Sequence, residues 1–457
     1  MRKTIYLFGY NIVSAITAIL LRNLLGLNAD VRIVTLHKKE ENIPSIIESK
    51  LIKHILDLNG IAINDFLKQT GGVPLVGSIY KNFKKPDSVM FKTFKHQNEN
   101  LIKYKKALDP YIKPEILIDY LSEMSMHLKE NKVDKDINNN YAFTFDTKKA
   151  TKYFIEDIFV NKLQGRLLFW DVGNIVYRDD GYVNFNQSDL ADELPFTVPL
   201  YINCSEHIDL PKLKKRLPYN NSVLTAKFVY TDKPKQINNH KLYLAADNGY
   251  ILERCLWDRM EISYFYDKDR SKNNEAKALL GNHIMKCYNK AIYDFDKEEL
   301  YSYDVDKIYN KDIISLRYYD NYVEPLIENR IDNIIKHIFE FADLLQDSVI
   351  HSQMYKNYFN KKCSKINYSA SMDYLKFLSK TWHKYNGYWS KIYEADINVD
   401  LKFDNCFDQL LEHKTSDPEF YKKVWEDKLK YLEKFAEKNI KDTESLYESM
   451  REINDDN

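Results

Sequence analysis

Residues 5–36 constrain the fold most. They begin IYLFGYNIVSAITAILL (5–21) and end VRIVTL (31–36). A short apolar strand, a tight turn, an apolar helix from about Val13 to Leu25 and a second apolar strand follow one another at the interval of a βαβ unit. Strands joined through a helix run parallel, so this opening commits the chain to the α/β class. Arg2 and Lys3 before the apolar run, with small residues at Ala15 and Ala18, also give it the outline of an export signal. Asn11, Ser14 and Thr17 interrupt that run, and the second strand arrives where a βαβ unit needs it, so the run is read as structural. No stretch reaches the roughly 18 uninterrupted apolar residues of a membrane span.

Length and charge narrow the function classes. A chain of 457 residues can hold two or three modules. Its 67 basic residues balance 67 acidic ones, so no net field steers it toward nucleic acid or an anionic membrane. The local runs KNFKK (81–85) and KLKKR (212–216) read as solvated faces. Cys204, Cys255, Cys287, Cys363 and Cys406 are odd in number and contain no C-x-x-C pair. Neither a disulfide framework nor a zinc site is expected; a reducing, cytoplasmic setting is. His337 and Glu340 share a helix face, but one such pair makes no metal site. Glycine is the telling count, because 12 in 457 is well below the usual proportion of about 7%. Folds that bring backbone against a dinucleotide phosphate use glycine at that approach.

Further along, apolar residues from Ile46 to Leu58 suggest a helix from about Pro44. Segment 84–140 is polar, with helical parts. KKATKYFIEDIFVNK (148–162) reads as a helix, followed by GRLLFWDVGN, a hairpin turning at Asp180-Gly181, and VPLYIN as strands. Strands continue through 222–267, helix follows Glu275, a strand recurs at about 313–319, and helical period dominates beyond Ile331.

Five separated pieces in one order resemble the flavin-dependent tryptophan halogenases over roughly residues 4–340. They are NGIAINDFLKQTGG (59–72), YAFTFDT (141–147), VPLYINCSE (198–206), NGYILERCLWDR (248–259) and YVEPLIENRI (322–331). The resemblance implies an FAD/NAD(P)-binding, flavin monooxygenase/halogenase-like α/β fold with a mixed β-sheet substrate layer and a helical C-terminal section. Its expected parts are an FAD-binding-like module from 1–80, 140–207 and 305–340, a helical insertion at 81–139, a β-rich substrate-layer module at 208–304 and a helical region at 341–457. In that family a partner reductase supplies reduced FAD, which reacts with O₂ and oxidises halide; a lysine delivers the electrophile and a glutamate assists.

At the positions the resemblance makes chemical, this chain departs from the pattern. The G-x-G-x-x-G phosphate turn falls on Gly9, Asn11 and Ser14. Asn11 brings a β-carbon and a carboxamide to where backbone N–H groups meet pyrophosphate. The ribose-binding acid falls on Thr35, and a flavin-contacting glycine loop falls on PSIIES (44–49), with Pro44 and Ile46 at its glycines. The lysine falls on Leu75, in a frame fixed by Gly77 and Tyr80 against an alternative register using Lys81. Leucine can neither donate a proton nor carry an electrophile. The glutamate falls on Ile327, with adjacent Glu328 a substitute only after a slip that turns a helical side chain by about 100°. A small-residue flavin surface becomes Arg317 to Asn321, and the W-x-W-x-I-P segment becomes Tyr250, Leu252, Arg254 and Cys255. Framework positions Asp65, Phe66, Asp146, Glu324, Pro325 and Leu326 agree with the pattern.

The expected protein is thus a halogenase-like pseudoenzyme that binds no FAD and no metal and serves a protein partner or its own assembly. The alternatives are an atypical FAD-dependent halogenase or monooxygenase acting on an indole or other aromatic, served by a flavin reductase, and a pocket protein that keeps such a ligand unchanged. TWHKYNGYW (381–389) reads as core aromatics first and as a partner surface second.

Overall fold

The computed structural model describes residues 3–36, 43–75, 77–83, 89–93, 142–170, 175–177, 183–185, 200–205, 214–215, 221–229, 240–246, 248–292, 294–300, 303–304, 309–310, 313–318, 330–345, 354 and 356–361. The chain divides into two compact units. The first is Met1–Gly72, Thr144–Pro218 and Leu300–Tyr374; the second is Val73–Phe143, Tyr219–Glu299 and Leu375–Asn457.

In the first unit, β1 (Lys3–Phe8), α1 (Ile12–Leu25) and β2 (Ala29–Leu36) form the expected βαβ opening. β1 pairs in parallel with β2 on one side and with β11 (Leu200–Asn203) on the other. β8 (Arg166–Trp170) extends the sheet beyond β2, and β20 (Ile313–Ser315) and β19 (Tyr309–Asn310) extend it beyond β11. The strand order therefore reverses at β1, and the crevice beyond its carboxyl end, beside β11, is where open α/β sheets place ligands. α1 is buried from Ile12 to Leu21, its hydroxyls Ser14 and Thr17 included. It contacts β2, α6 (Arg330–Leu345) and a helix that runs as α4 (Thr147–Lys152) into a π-helical stretch, Tyr153–Lys162.

The framework matches have structural work in this unit. Asp146 ends β7 (Ala142–Asp146) and caps α4, accepting the Lys149 N–H at 2.7 Å. Phe66, on α3 (Ile63–Thr70), is fully buried and meets Phe145 and Phe154 with ring centroids 5.2 Å away in each case.

One expectation is corrected here. Residues from Pro44 do not continue one helix: Ile46–Ser49 is a strand, β3, and α2 spans only Ile52–Leu58. β3 lies beside β7 in a small sheet. Asp332 of α6 accepts the N–H groups of Lys50 and Leu51, while the Ser49 hydroxyl accepts that of Ile52. The Asp332 bonds come from outside the segment and hold Lys50 and Leu51 just ahead of the helix, which starts at Ile52.

The second unit is built on a seven-stranded mixed sheet in the order β17, β13, β16, β15, β14, β5, β6. These strands are β17 (Asp296–Leu300), β13 (Asn221–Val229), β16 (Arg259–Asp267), β15 (Gly249–Cys255), β14 (His240–Ala246), β5 (Gly77–Lys81) and β6 (Val89–Thr93). Only β14 and β5 pair in parallel among the strand pairs whose register is described. β5 thus joins this sheet, although residues up to 80 were expected in the first module, and β6 puts a strand into the insertion expected to be helical. Residues 94–141 lie outside the described residues. The remaining strands are β4 (Val73–Leu75) and, in the first unit, two short pairs: the hairpin β9 (Ile175–Tyr177) with β10 (Val183–Phe185), and β12 (Lys214–Lys215) with β18 (Tyr303–Asp304).

Alternation decides the two faces of this sheet. On one face Leu224, Ala226, Ile251, Ile262 and Tyr264 pack with Ala276, Leu280 and Ile284 of α5 (Asn273–Tyr288). On the other, Tyr80, Tyr243, Tyr250 and Phe265 form an aromatic row across four strands. Tyr80 stacks on Tyr243 and Tyr250 on Phe265, each at 4.9 Å.

Candidate functional site

The carboxyl end of β1 is the place to look for a phosphate turn. Gly9 has φ +114°, where only glycine is unstrained, and its N–H donates to Val34 O at 2.9 Å. A β-carbon there would meet Asn11 Nδ2 at 2.9 Å and Ser205 backbone at 3.2 Å. This glycine is therefore required by the chain's own packing, independently of any ligand.

Asn11 is the N-cap of α1. Its Oδ1 accepts the N–H groups of Val13 at 2.9 Å and Ser14 at 3.0 Å, and its Nδ2 donates to Cys204 O at 2.7 Å. The carboxamide thus bridges from the α1 amino end to the residue after β11, across the crevice at the strand-order reversal. Ser14 closes the ring from within, because the Asn11 N–H donates to its Oγ at 3.2 Å and that hydroxyl donates to Asn11 O at 2.9 Å. Asn11 is 4% exposed and Ser14 is fully buried. The two helix N–H groups that a diphosphate oxygen would seek are engaged by a side chain at normal hydrogen-bond lengths. Next in the turn, Tyr10 donates to Glu156 Oε1 at 3.1 Å. Burial, and then the neighbouring Glu156 carboxylate, push its phenol up to about 12.

Thr35, at the ribose position, is half-buried near the end of β2 and pairs with Phe169 of β8. Leu75, at the lysine position, is buried in β4 and 1% exposed. Tyr250 and Leu252 are core residues of β15, and Arg254 reaches Glu261 at 3.8 Å on the neighbouring strand. Tyr250, Leu252 and Arg254 share one strand face, as the sequence spacing implies. Asn321, Glu324, Pro325, Leu326, Ile327 and Glu328 lie outside the described residues, as do the aromatic cluster 381–389 and the rest of the chain from residue 362.

No family model matches this sequence, and no curated protein does. Solved structures do. A tryptophan 6-halogenase (SttH) from Streptomyces toxytricini superposes with a TM-score of 0.75 at 12% identity, covering 98% of this chain and 99% of that one. The chain has the halogenase fold. A tryptophan halogenase from Shewanella frigidimarina gives 0.71 at 15% identity over 95% of each chain. BrvH, a flavin-dependent halogenase from Brevundimonas sp. BAL3, gives 0.74 at 12% identity over 98% of this chain and 99% of that one. The fold expected from the five motifs is the fold found.

Among the described residues, no group of three or more His, Cys, Asp or Glu could hold a metal ion, and no helix is long and apolar enough to cross a membrane. A different polar cluster stands in the second unit, and the sequence reading missed it. Glu253 points inward from β15 and is 4% exposed. Its Oε2 accepts from the Tyr288 hydroxyl at 2.6 Å, and its Oε1 faces His283 Nε2 at 2.8 Å. His283 Nδ1 in turn faces Cys287 Sγ at 3.8 Å. Burial, and then Glu253, raise the Tyr288 phenol above its ordinary range, so it remains a donor. Two sequence signals pointed here: a glutamate at an inward position between Ile251 and Cys255, and His283 and Cys287 one helical turn apart.

Proposed function

We propose that this chain is a divergent member of the flavin-dependent halogenase family that has lost FAD binding and halogenation, and that it serves as a binding or structural component. The observation that carries the reading is the Asn11 carboxamide, which takes the Val13 and Ser14 N–H groups and ties the turn to Cys204 O. A dinucleotide would have to displace three hydrogen bonds from a site 4% exposed before gaining any of its own. Leu75 supports the same reading, because an enclosed hydrocarbon stands at the position of the reactive amine. Thr35 weakens the acceptor where the family pattern has an acid, and Tyr250 stands where it has a tryptophan. In this reading the fold is retained as a scaffold, the Tyr80 to Phe265 aromatic row is internal packing, and no reductase partner is needed.

The test is a titration of the purified full chain with FAD, followed by flavin absorbance and fluorescence. The expected result is a colourless protein and no saturable change at micromolar FAD. A yellow preparation, or saturation in the micromolar range, overturns the reading. It would favour the atypical FAD-dependent enzyme, to which the fold likeness itself lends support.

A further inference from the structure

The polar cluster on α5 uses none of the side chains at the positions that the halogenase pattern makes chemical; Glu253 alternates with Tyr250, Leu252 and Arg254 on β15 and takes the opposite face. We infer that Cys287 is a reactive thiol, activated by His283 and Glu253, and that its reaction partner is a low-molecular-weight disulfide.

An ionised Glu253 can only accept hydrogen bonds, and the Tyr288 hydroxyl fills one of its oxygens at 2.6 Å. The nitrogen that faces the other oxygen at 2.8 Å must therefore carry a proton, which makes Nε2 the N–H of His283. Nδ1 is then the lone-pair nitrogen of the neutral ring, and it faces Cys287 Sγ at 3.8 Å. A thiol beside a basic nitrogen whose other side is held by a buried carboxylate has the layout of an activated nucleophile. The S–H proton passes to Nδ1, leaving a thiolate beside an imidazolium that keeps its bond to Glu253.

Exposure separates this thiol from two others. Cys204 and Cys255 are buried, whereas Cys287 is exposed on α5. Tyr288 on α5 and Glu253 and Cys255 from β15 face the pair from the sheet side of the helix, and the exposed Lys286 and Lys290 flank Cys287 in the chain. The sulfur itself is exposed. The exchange balances without an outside oxidant. The thiolate attacks one sulfur of the disulfide, the Cys287 Sγ–S bond forms as the S–S bond of the small molecule breaks, and the departing thiolate takes the proton held by His283.

The experiment is alkylation of the full chain by iodoacetamide at pH 7, read at the Cys287 peptide by mass spectrometry. Cys287 is expected to label faster in the folded chain than in the urea-unfolded chain, and His283→Gln is expected to slow its labelling about tenfold. With oxidised glutathione at pH 7, mixed disulfide at Cys287 should form faster in the wild-type chain than in H283Q. Equal rates in the wild type and a folded H283Q chain overturn the inference. If H283Q does not fold, the wild-type chain decides alone, and a Cys287 rate no greater folded than unfolded overturns it. None of these readouts depends on whether FAD binds.

Discussion

The amino end of α1 and the carboxyl half of α5 both set polar side chains against a buried surface, and they finish differently. At α1 the Asn11 carboxamide spends every bond on the main chain: two helix N–H groups and the Cys204 carbonyl. The circuit closes on itself. At α5 the sequence of groups runs from a buried carboxylate through an imidazole to an exposed sulfur. In both places burial is tolerated because the polar groups are hydrogen-bonded. What separates a structural cluster from a reactive one is the last group in the chain, which faces backbone in the first case and water in the second. The motif resemblance leads to the reverse expectation, a cofactor turn at Gly9 and no site on α5.

The sharpest way to break that contrast is at Glu253. Glu253→Ala leaves the Tyr288 hydroxyl and the His283 Nε2–H without their acceptor beneath α5. Unsatisfied buried donors cost about 1–3 kcal/mol each, and both donors here are only partly buried, so a combined loss at the low end, about 2–3 kcal/mol, is expected in the stability read from the melting transition. A variant as stable as the wild type would show that the carboxylate is not integral to the packing of α5, and the contrast with α1 would lose its structural half. Glu253→Gln keeps the shape and one acceptor oxygen, and it should recover part of the loss.

The same two regions show how far the sequence could be read. β1, α1 and β2 were legible because a βαβ unit is local: its apolar periods and turn lie within 34 consecutive residues, from Lys3 to Leu36. The departure at Asn11 was legible as well, since a side chain at a glycine position is visible in the string. Its action was not, because the Cys204 carbonyl lies 193 residues away. Distance also explains the misreading of 44–51. Ile46, Ile47, Leu51 and Ile52 fit a helical period, and what ends that period is Asp332, 281 residues from Leu51, whose carboxylate takes the Leu51 N–H. The Glu253 cluster failed for the same reason in a milder form. Each residue looked ordinary, and only the pairing of β15 with the face of α5 brings a glutamate to a histidine 30 residues on.

At α1 the corresponding test is Asn11→Ala, with a smaller effect. It removes the N-cap oxygen, worth about 1–2 kcal/mol, together with the donation to Cys204. Denaturant unfolding at neutral pH should show a loss in that range, below the loss for E253A. A larger loss at Asn11 than at Glu253 would invert the ranking and make the turn the more highly loaded of the two. A loss near zero would mean that water or another group replaces the carboxamide easily, which would weaken the case that the turn is closed to a diphosphate.

The smallest effect is expected at Tyr10, and pH brings it out. The Tyr10 phenol is raised from 10.0 to about 12, by burial first and then by the Glu156 carboxylate that accepts its proton. The folded state therefore holds this proton more tightly than the unfolded chain does. Its contribution to stability is complete below about pH 10, the unfolded value, and is lost as pH rises toward the folded value. The group is only partly buried, so screening keeps the contribution small. Tyr10→Phe removes both the proton and the bond, so it should leave the melting temperature near neutral pH almost unchanged and flatten the part of the alkaline decline that belongs to this residue. If Y10F and wild type decline in parallel between about pH 10 and 12, Tyr10 does not hold the turn to Glu156, and Asn11 alone keeps it closed.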